Sequence, residues 1–156
     1  MTYIAKRYGA VLLTVAMLFT FALSAGAAST TVGVKFWKEK SDKESMANTG
    51  IDSDRNATLT RQSNGTYTLS LPIKQVSKMG VTGYLTGISI GDISYDGVVS
   101  GDVSKGTAVL TIKNLPASIL TGSDVNKALL VTCNIQMDAK ILGELNTTAR
   151  LCIWQQ

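Results

Sequence analysis

The sequence predicts an all-β protein, an antiparallel sandwich or barrel of about eight short strands with one short helical turn. Apolar and polar residues alternate over most of the chain beyond residue 30, which is the pattern of half-buried strands. Asn64-Gly65 lies between two such segments and is a strong hairpin signal. No segment beyond residue 30 shows the long helical periodicity of an amphipathic helix. Apolar residues make up 45% of the chain and charged residues 17%, which is sufficient for a hydrophobic core.

The first 28 residues are predicted to be a secretory signal peptide, which leaves residues 29–156 as one domain. Lys6 and Arg7 precede the apolar run Tyr8–Leu23, and Ala25-Gly26-Ala27 offers a small-residue cleavage site. The run is shorter than the roughly 20 apolar residues that a spanning helix needs, which disfavours an uncleaved membrane anchor. We therefore expect a secreted, extracellular protein, free or associated with the cell wall, with no membrane span in the mature chain.

The composition excludes several classes of chemistry. The chain contains no histidine, which excludes Ser-His-Asp and Cys-His catalytic systems and zinc sites built on histidine. Without Lys6 and Arg7 of the leader, 13 of the 15 basic residues remain against 11 acidic residues, a net charge of +2. Lysines alternate with acids, as in Lys38-Glu39-Lys40, so the basic patch of a nucleic-acid binder is missing. No two acids stand out as a catalytic pair, and the sequence indicates a protein that is not an enzyme.

The first predicted strand covers Thr31–Trp37, where apolar residues occupy alternate positions. A polar connection follows over Glu39–Arg55, with a short helical turn predicted around Glu44–Ala47. Long connections of this kind in compact domains often carry function.

The second and third predicted strands form a hairpin, because Ala57–Arg61 and Thr66–Leu71 flank Asn64-Gly65. Pro72 has no N–H to donate and ends the second of these strands. The segment Ile73–Gly80 is predicted to be a helical turn or a bend. Further strands are predicted at Gly83–Ile90, Ile93–Val99, Thr107–Ile112, Ala128–Met137 and Thr147–Trp154.

Two further groups of residues have both a functional and a structural interpretation. Asp92, Asp96 and Asp102 are spaced too loosely for a calcium loop, so turn formation is the preferred interpretation. Trp37 and Trp154 are either exposed aromatics of a binding face or residues covered by sheet packing.

Cys133 and Cys152 are the only cysteines and form a candidate disulfide, since exported pairs are often bonded. If Met137 pairs with Thr148 in the last hairpin, Cys133 lies opposite Cys152. The alternative is that both are small apolar core residues with free thiols.

Five short motifs follow one another along the chain. They are Val34-Lys35-Phe36-Trp37-Lys38, Ser45-Met46-Ala47-Asn48, Ala57-Thr58-Leu59, Asn64-Gly65-Thr66-Tyr67-Thr68-Leu69 and Met79-Gly80-Val81-Thr82-Gly83-Tyr84-Leu85. In this order they resemble the first half of a NEAT (near iron transporter) domain. The resemblance spans most of residues 31–154 and implies an immunoglobulin-like β-sandwich on a surface or secreted protein of a Gram-positive bacterium. It also implies haem binding for iron transport.

The resemblance places a cofactor site between the Ser-Met segment and the last hairpin. Ser45 would donate a hydrogen bond to a haem propionate, and Met46 would cover the distal face of the porphyrin. Family members that bind haem carry a Tyr-x-x-x-Tyr motif in the last hairpin, whereas the matching positions here hold Leu142 and Asn146. The chain is therefore similar to a divergent member that lacks the usual tyrosine ligand of the iron.

The same residues also have a purely structural interpretation, in which Ser45 caps a helical turn and Met46 plugs the end of the sandwich. The leading hypothesis is a secreted, non-catalytic binding domain for haem or a related porphyrin in iron acquisition. The alternative is a NEAT-like sandwich that binds a host or cell-wall protein or a glycan without haem chemistry. A purely structural module is the third interpretation.

Overall fold

The computed structural model describes residues 27–138 and 143–156 of the chain. The predicted signal peptide falls almost wholly outside the described residues, and so does the candidate site residue Leu142. Within the described ranges, no helix is both long enough and apolar enough to cross a membrane.

Nine strands and three short 3₁₀ helices make up the described structure. Alternating burial along the strands gives each strand an inward and an outward face. The strands are β1 (Ser29–Lys38), β2 (Ala57–Arg61), β3 (Tyr67–Pro72), β4 (Val76–Lys78), β5 (Val81–Ile90), β6 (Ile93–Ser100), β7 (Val109–Leu115), β8 (Leu129–Met137) and β9 (Glu144–Gln155). The 3₁₀ helices are η1 (Met46–Gly50), η2 (Ala117–Ile119) and η3 (Val125–Lys127).

All nine strands belong to one antiparallel sheet in the order β4-β5-β6-β7-β3-β2-β1-β9-β8. An additional pairing of β5 with β8 closes eight of the strands into a barrel-like sandwich, and β4 is added beside the start of β5. The predicted all-β class is confirmed. The prediction of one short helical turn undercounts the 3₁₀ helices, because η2 and η3 are single turns with no apolar periodicity.

The core is a single cluster of inward-facing apolar side chains from seven of the eight barrel strands, to which β6 adds only the partly buried Tyr95 and Val99. Phe36 of β1 and Ile135 of β8 are each 1% exposed, and Leu110 of β7 is fully buried. Burial of these side chains supplies the main favourable free energy of folding. Ala47 of η1 belongs to the same cluster, so this short helix covers one end of the barrel.

The predicted hairpin at Asn64-Gly65 is confirmed as the connection of β2 and β3, with Arg61 opposite Tyr67. Of the two turn residues only Gly65 has a positive φ, and Gln62 pairs with Thr66 through a backbone hydrogen bond. The loop is thus longer than the two-residue turn that Asn-Gly suggests, a common arrangement in hairpins with one left-handed glycine.

The segment predicted as a helical turn or bend at Ile73–Gly80 contains a short strand. Val76 is 3% exposed and lies opposite Gly83, and Lys78 lies opposite Val81 across the two-residue turn Met79-Gly80. The prediction missed this strand because three residues are too few to show alternation.

The predicted pairing of the two cysteines is wrong. Cys133 lies opposite Thr147, and Cys152 lies opposite Lys35 of β1. Thr147, the residue opposite Cys133, is five residues from Cys152 along β9. This separation is about 16 Å at about 3.3 Å per residue, whereas a disulfide needs Cα atoms within about 7 Å. Both thiols are free and buried in the structure.

The segments that the sequence predicts to be functional lie at one end of the barrel. At this end β1, β3, β6 and β8 finish, and β2, β5, β7 and β9 begin. It carries the connection from β1 to β2, which contains η1, and the start of the β8–β9 hairpin. We call it the η1 end.

Candidate functional site

Ser45 and Met46 open η1, as predicted, but their side chains differ in exposure. Ser45 is 7% exposed and is the N-cap, since its Oγ accepts a hydrogen bond from the N–H of Ala47 at 3.3 Å. Its own N–H donates to the carbonyl of Phe36 at 3.0 Å. Met46 is 36% exposed. Ser45 therefore has the predicted structural role of a cap, and Met46 is the member of the pair that a ligand can reach.

Hydrogen bonds from Asn48 and Arg150 hold the η1 connection against the barrel. Asn48 brackets Phe36 of β1, because its Oδ1 accepts from the Phe36 N–H at 2.8 Å and its Nδ2 donates to the Phe36 carbonyl at 2.5 Å. The guanidinium of Arg150 donates to the carbonyls of Lys38 and Ser41 at 2.9 and 2.8 Å and to the carboxylate of Asp42 at 2.8 Å. The connection is thus tied to β9 before Met46 and to β1 after it.

An apolar cavity of about 190 Å³ lies at the η1 end, between the β4–β5 turn and the base of the β8–β9 hairpin. The residues that line it are Lys78, Met79, Met137 and Leu145. Met137 is 5% exposed and forms the floor, whereas Lys78 and Met79 are exposed at the rim. The lining offers two thioethers, one aliphatic chain and one ammonium group, which suits an apolar ligand that carries an anionic group.

Met79 is the least expected residue of this site. Its side chain is 94% exposed, and its backbone has a φ of +52° in the two-residue turn between β4 and β5. Such turns favour asparagine, aspartate or glycine, because other side chains are strained at positive φ. The strained backbone at Met79 does not stabilise the fold. Its large exposed apolar side chain does not favour solubility.

Gly83 makes room for the thioether of Met137. A Cβ atom at Gly83 would lie 2.7 Å from the Sδ atom of Met137 and 2.5 Å from the carbonyl oxygen of Gln136. The glycine allows β5 and β8 to approach closely and lets the methionine lie flat over the backbone. The position of Met137 at the floor of the cavity thus depends on the absence of a side chain at Gly83.

The structure does not bring Asn146 to this cavity. Asn146 is exposed and lies opposite Asn134 on the outward face of the β8–β9 hairpin. Its neighbour Leu145 faces inward, packs against the core and lines the cavity. The difference of one position moves a side chain to the other face of a strand. The continued alternation of buried residues at Ala149 and Leu151 is the sequence signal that identifies Leu145 as inward-facing.

Sheet packing covers both tryptophans in part. The ring of Trp154 lies directly over Gly33, in the space that a Cβ atom there would occupy. The ammonium of Lys35 lies 4.6 Å from the ring centroid of Trp37, a cation–π contact, and Lys35 also pairs with Glu44 at 2.6 Å. Trp37 Nε1 is buried without a hydrogen-bond partner among the described residues.

A second, more polar groove of about 430 Å³ lies beside β5 and contains Tyr84, Asp102 and Asp138 in its lining. Asp102 Oδ1 accepts hydrogen bonds from the N–H and hydroxyl of Ser104, as its predicted role in a turn requires. The Ser104 hydroxyl holds the pKa of the Asp102 carboxyl below its usual value. No cluster of three or more histidine, cysteine, aspartate or glutamate side chains suited to a metal ion occurs within residues 27–138 and 143–156.

The chain is similar to solved structures at low sequence identity. No family model matches the sequence, and no curated protein matches it. The NEAT5 domain of IsdX2, a B. anthracis hemophore in complex with heme, is similar in structure with a TM-score of 0.47 and 16% identity, over 83% of this chain and 97% of that chain. A single-residue mutant of the same IsdX2 domain in complex with heme matches with a TM-score of 0.47 and 17% identity, over 83% of this chain and 96% of that chain.

Proposed function

We propose that this protein is a secreted, non-catalytic binding domain that binds haem or a related porphyrin at the η1 end for iron acquisition. The observation that carries the proposal is the exposed, strained Met79 at the rim of an apolar cavity. Backbone strain that the fold does not need is typical of functional sites. A ligand that packs against the thioether gives this residue a role.

The lining matches the parts of a porphyrin. The thioethers of Met79 and Met137 and the side chain of Leu145 would contact the apolar ring, and sulfur–aromatic contacts contribute about 0.3–1.5 kcal/mol each. The Lys78 ammonium at the rim would pair with a carboxylate of the ligand. Met46, exposed at the same end of the barrel, is the further apolar side chain that the ligand would reach.

The cavity is smaller than the roughly 300–1,000 Å³ of typical small-molecule pockets, at about 190 Å³. A porphyrin would therefore insert one edge between the turn and the hairpin and leave the rest of its ring over the exposed methionines. Partial insertion of this kind suits a protein that passes its ligand to another carrier, because release needs no opening of a closed pocket.

The test is an absorbance titration of residues 29–156 with haemin, performed on the wild-type chain, on Met79→Asn and on Met46→Ala. We expect a saturable Soret change with one-to-one stoichiometry in the wild type. Loss of the Met79 thioether contact would weaken binding by about fivefold to tenfold, which corresponds to about 1–1.4 kcal/mol.

Ile93→Asn is the matched control, since Ile93 is 59% exposed at the start of β6, next to the β5–β6 turn at the opposite end of the barrel. It should leave the titration unchanged. No saturable change in the wild type, or an equal loss in Met79→Asn and the control, would contradict the proposal and leave a protein or glycan ligand as the hypothesis to test.

A further inference from the structure

We infer that the site at the η1 end recognises the macrocycle and the carboxylates of its ligand rather than a central metal ion. The inference rests on the proposed porphyrin function and makes it more specific. Its basis is the chemistry of the cavity lining, which consists of two thioethers, an aliphatic chain and an ammonium group.

The thioethers of the lining are weak partners for ferric iron. Haem proteins hold the iron through histidine, thiolate, tyrosinate or a methionine paired with histidine, and the chain has no histidine. Met137 is 5% exposed, and its sulfur packs over the backbone of Gly83. Met79 lies on a turn that is exposed to solvent.

The stronger ligands of the barrel lie elsewhere. Tyr84 is next to Gly83 in the chain, but it is partly buried against the core and lines the separate polar groove. Cys133 is fully buried in the core, and burial raises the pKa of its thiol to about 12, which disfavours the thiolate. The segment 139–142 reads Ala-Lys-Ile-Leu and contains no tyrosine, cysteine or methionine.

Recognition is left to two forces that do not require iron. Apolar contact with the ring depends on area and not on the metal at its centre. The Lys78 ammonium attracts the ring carboxylates, with the small free energy and the salt sensitivity of an exposed ion pair.

The experiment compares haemin, metal-free protoporphyrin IX and the dimethyl ester of protoporphyrin IX by quenching of tryptophan fluorescence in residues 29–156. We expect dissociation constants for haemin and protoporphyrin IX within about threefold of each other. The ester should bind about fivefold more weakly, because it has lost the charges that Lys78 attracts. In Lys78→Gln the difference between acid and ester should disappear, whereas it should persist in Lys113→Gln, an exposed lysine of β7 away from the cavity.

The outcomes separate this inference from the function on which it rests. Haemin that binds more than about tenfold tighter than protoporphyrin IX would show that the metal is ligated and would overturn the inference while leaving the proposed function in place. An acid–ester difference that persists in Lys78→Gln would overturn the role of the lysine. Failure of all three compounds to bind would overturn both the inference and the proposed function.

Discussion

Met79 adopts a backbone conformation that opposes the stability of the fold. Its φ of +52° places an L-side chain in the left-handed region, where residues other than glycine are strained by about 1–2 kcal/mol. The side chain recovers none of this free energy through burial, because it is 94% exposed. The neighbouring Gly80, with a φ of +78°, is the residue type that the turn favours.

We predict that Met79→Asn raises the free energy of unfolding by about 0.5–1 kcal/mol, because asparagine tolerates the left-handed region. Urea denaturation followed by circular dichroism measures the change. Met79→Leu is the control, since it keeps an apolar side chain at positive φ and should leave stability unaltered. If Met79→Asn is less stable than the wild type, the turn is not strained. A more stable variant that also binds haemin less well would separate the contributions of this residue to folding and to binding.

The connection from β1 to β2 illustrates how an irregular element is held in place. It contains few apolar anchors, and Ala47 is its main contribution to the core. It is held instead by Asn48, whose side chain bonds the backbone of Phe36 in β1, and by Arg150, whose guanidinium donates to the carbonyls of Lys38 and Ser41. Positioning of Met46 thus depends on hydrogen bonds from another strand, which local propensity does not reveal.

We predict that Arg150→Met destabilises the protein by about 1–3 kcal/mol, because it leaves the carbonyls of Lys38 and Ser41 without their charged donor. Hydrogen exchange should accelerate at the amides of Lys38 and Ser45, which donate to the carbonyls of Lys43 and Phe36 and so join the connection to β1. Asp42→Asn is the control, since it removes only an exposed ion pair and should cost less than about 0.5 kcal/mol. Unchanged exchange at Lys38 and Ser45 in Arg150→Met would mean that other contacts hold the connection.

At the scale of the whole molecule, the sequence predicts the features that depend on residues close together in the chain. It does not predict the features that depend on closure of the barrel. Alternation and Asn64-Gly65 predict the all-β class and the β2–β3 hairpin, since both signals are local. The register of β8 on β9 is set by packing against β1 and β5, so the cysteine pairing was wrong. Methionine is not a turn residue, so the segment Ile73–Gly80 predicts a helical turn or a bend and not the β4–β5 hairpin across Met79-Gly80. Asn146 is predicted to line the site, whereas its neighbour Leu145 lines the cavity in the structure. A shift of one position along a strand moves the side chain to the opposite face.

The packing of the two cysteines yields a prediction for the whole fold. Cys133 and Cys152 are buried and free, and burial raises the pKa of Cys133 to about 12. We predict that neither thiol reacts with a disulfide reagent at pH 8 in the native protein, and that both react after unfolding in guanidinium. Because an unfolded thiol ionises near pH 9 and the buried one does not, stability should fall as the pH rises above 9. A mass two units lower than that of the reduced chain would contradict the absence of the bond.

The pairing of the first strand with the last has a consequence for how the protein is made. Val32 of β1 lies opposite Gln155 of β9, so the barrel needs residues from both ends of the domain before it can close. A nascent chain can pair β1 with β2 but lacks the second partner of β1 until β9 has been synthesised, and contacts between residues so distant in sequence form slowly. Closure of the barrel is therefore a late step of folding, which follows the synthesis of β9.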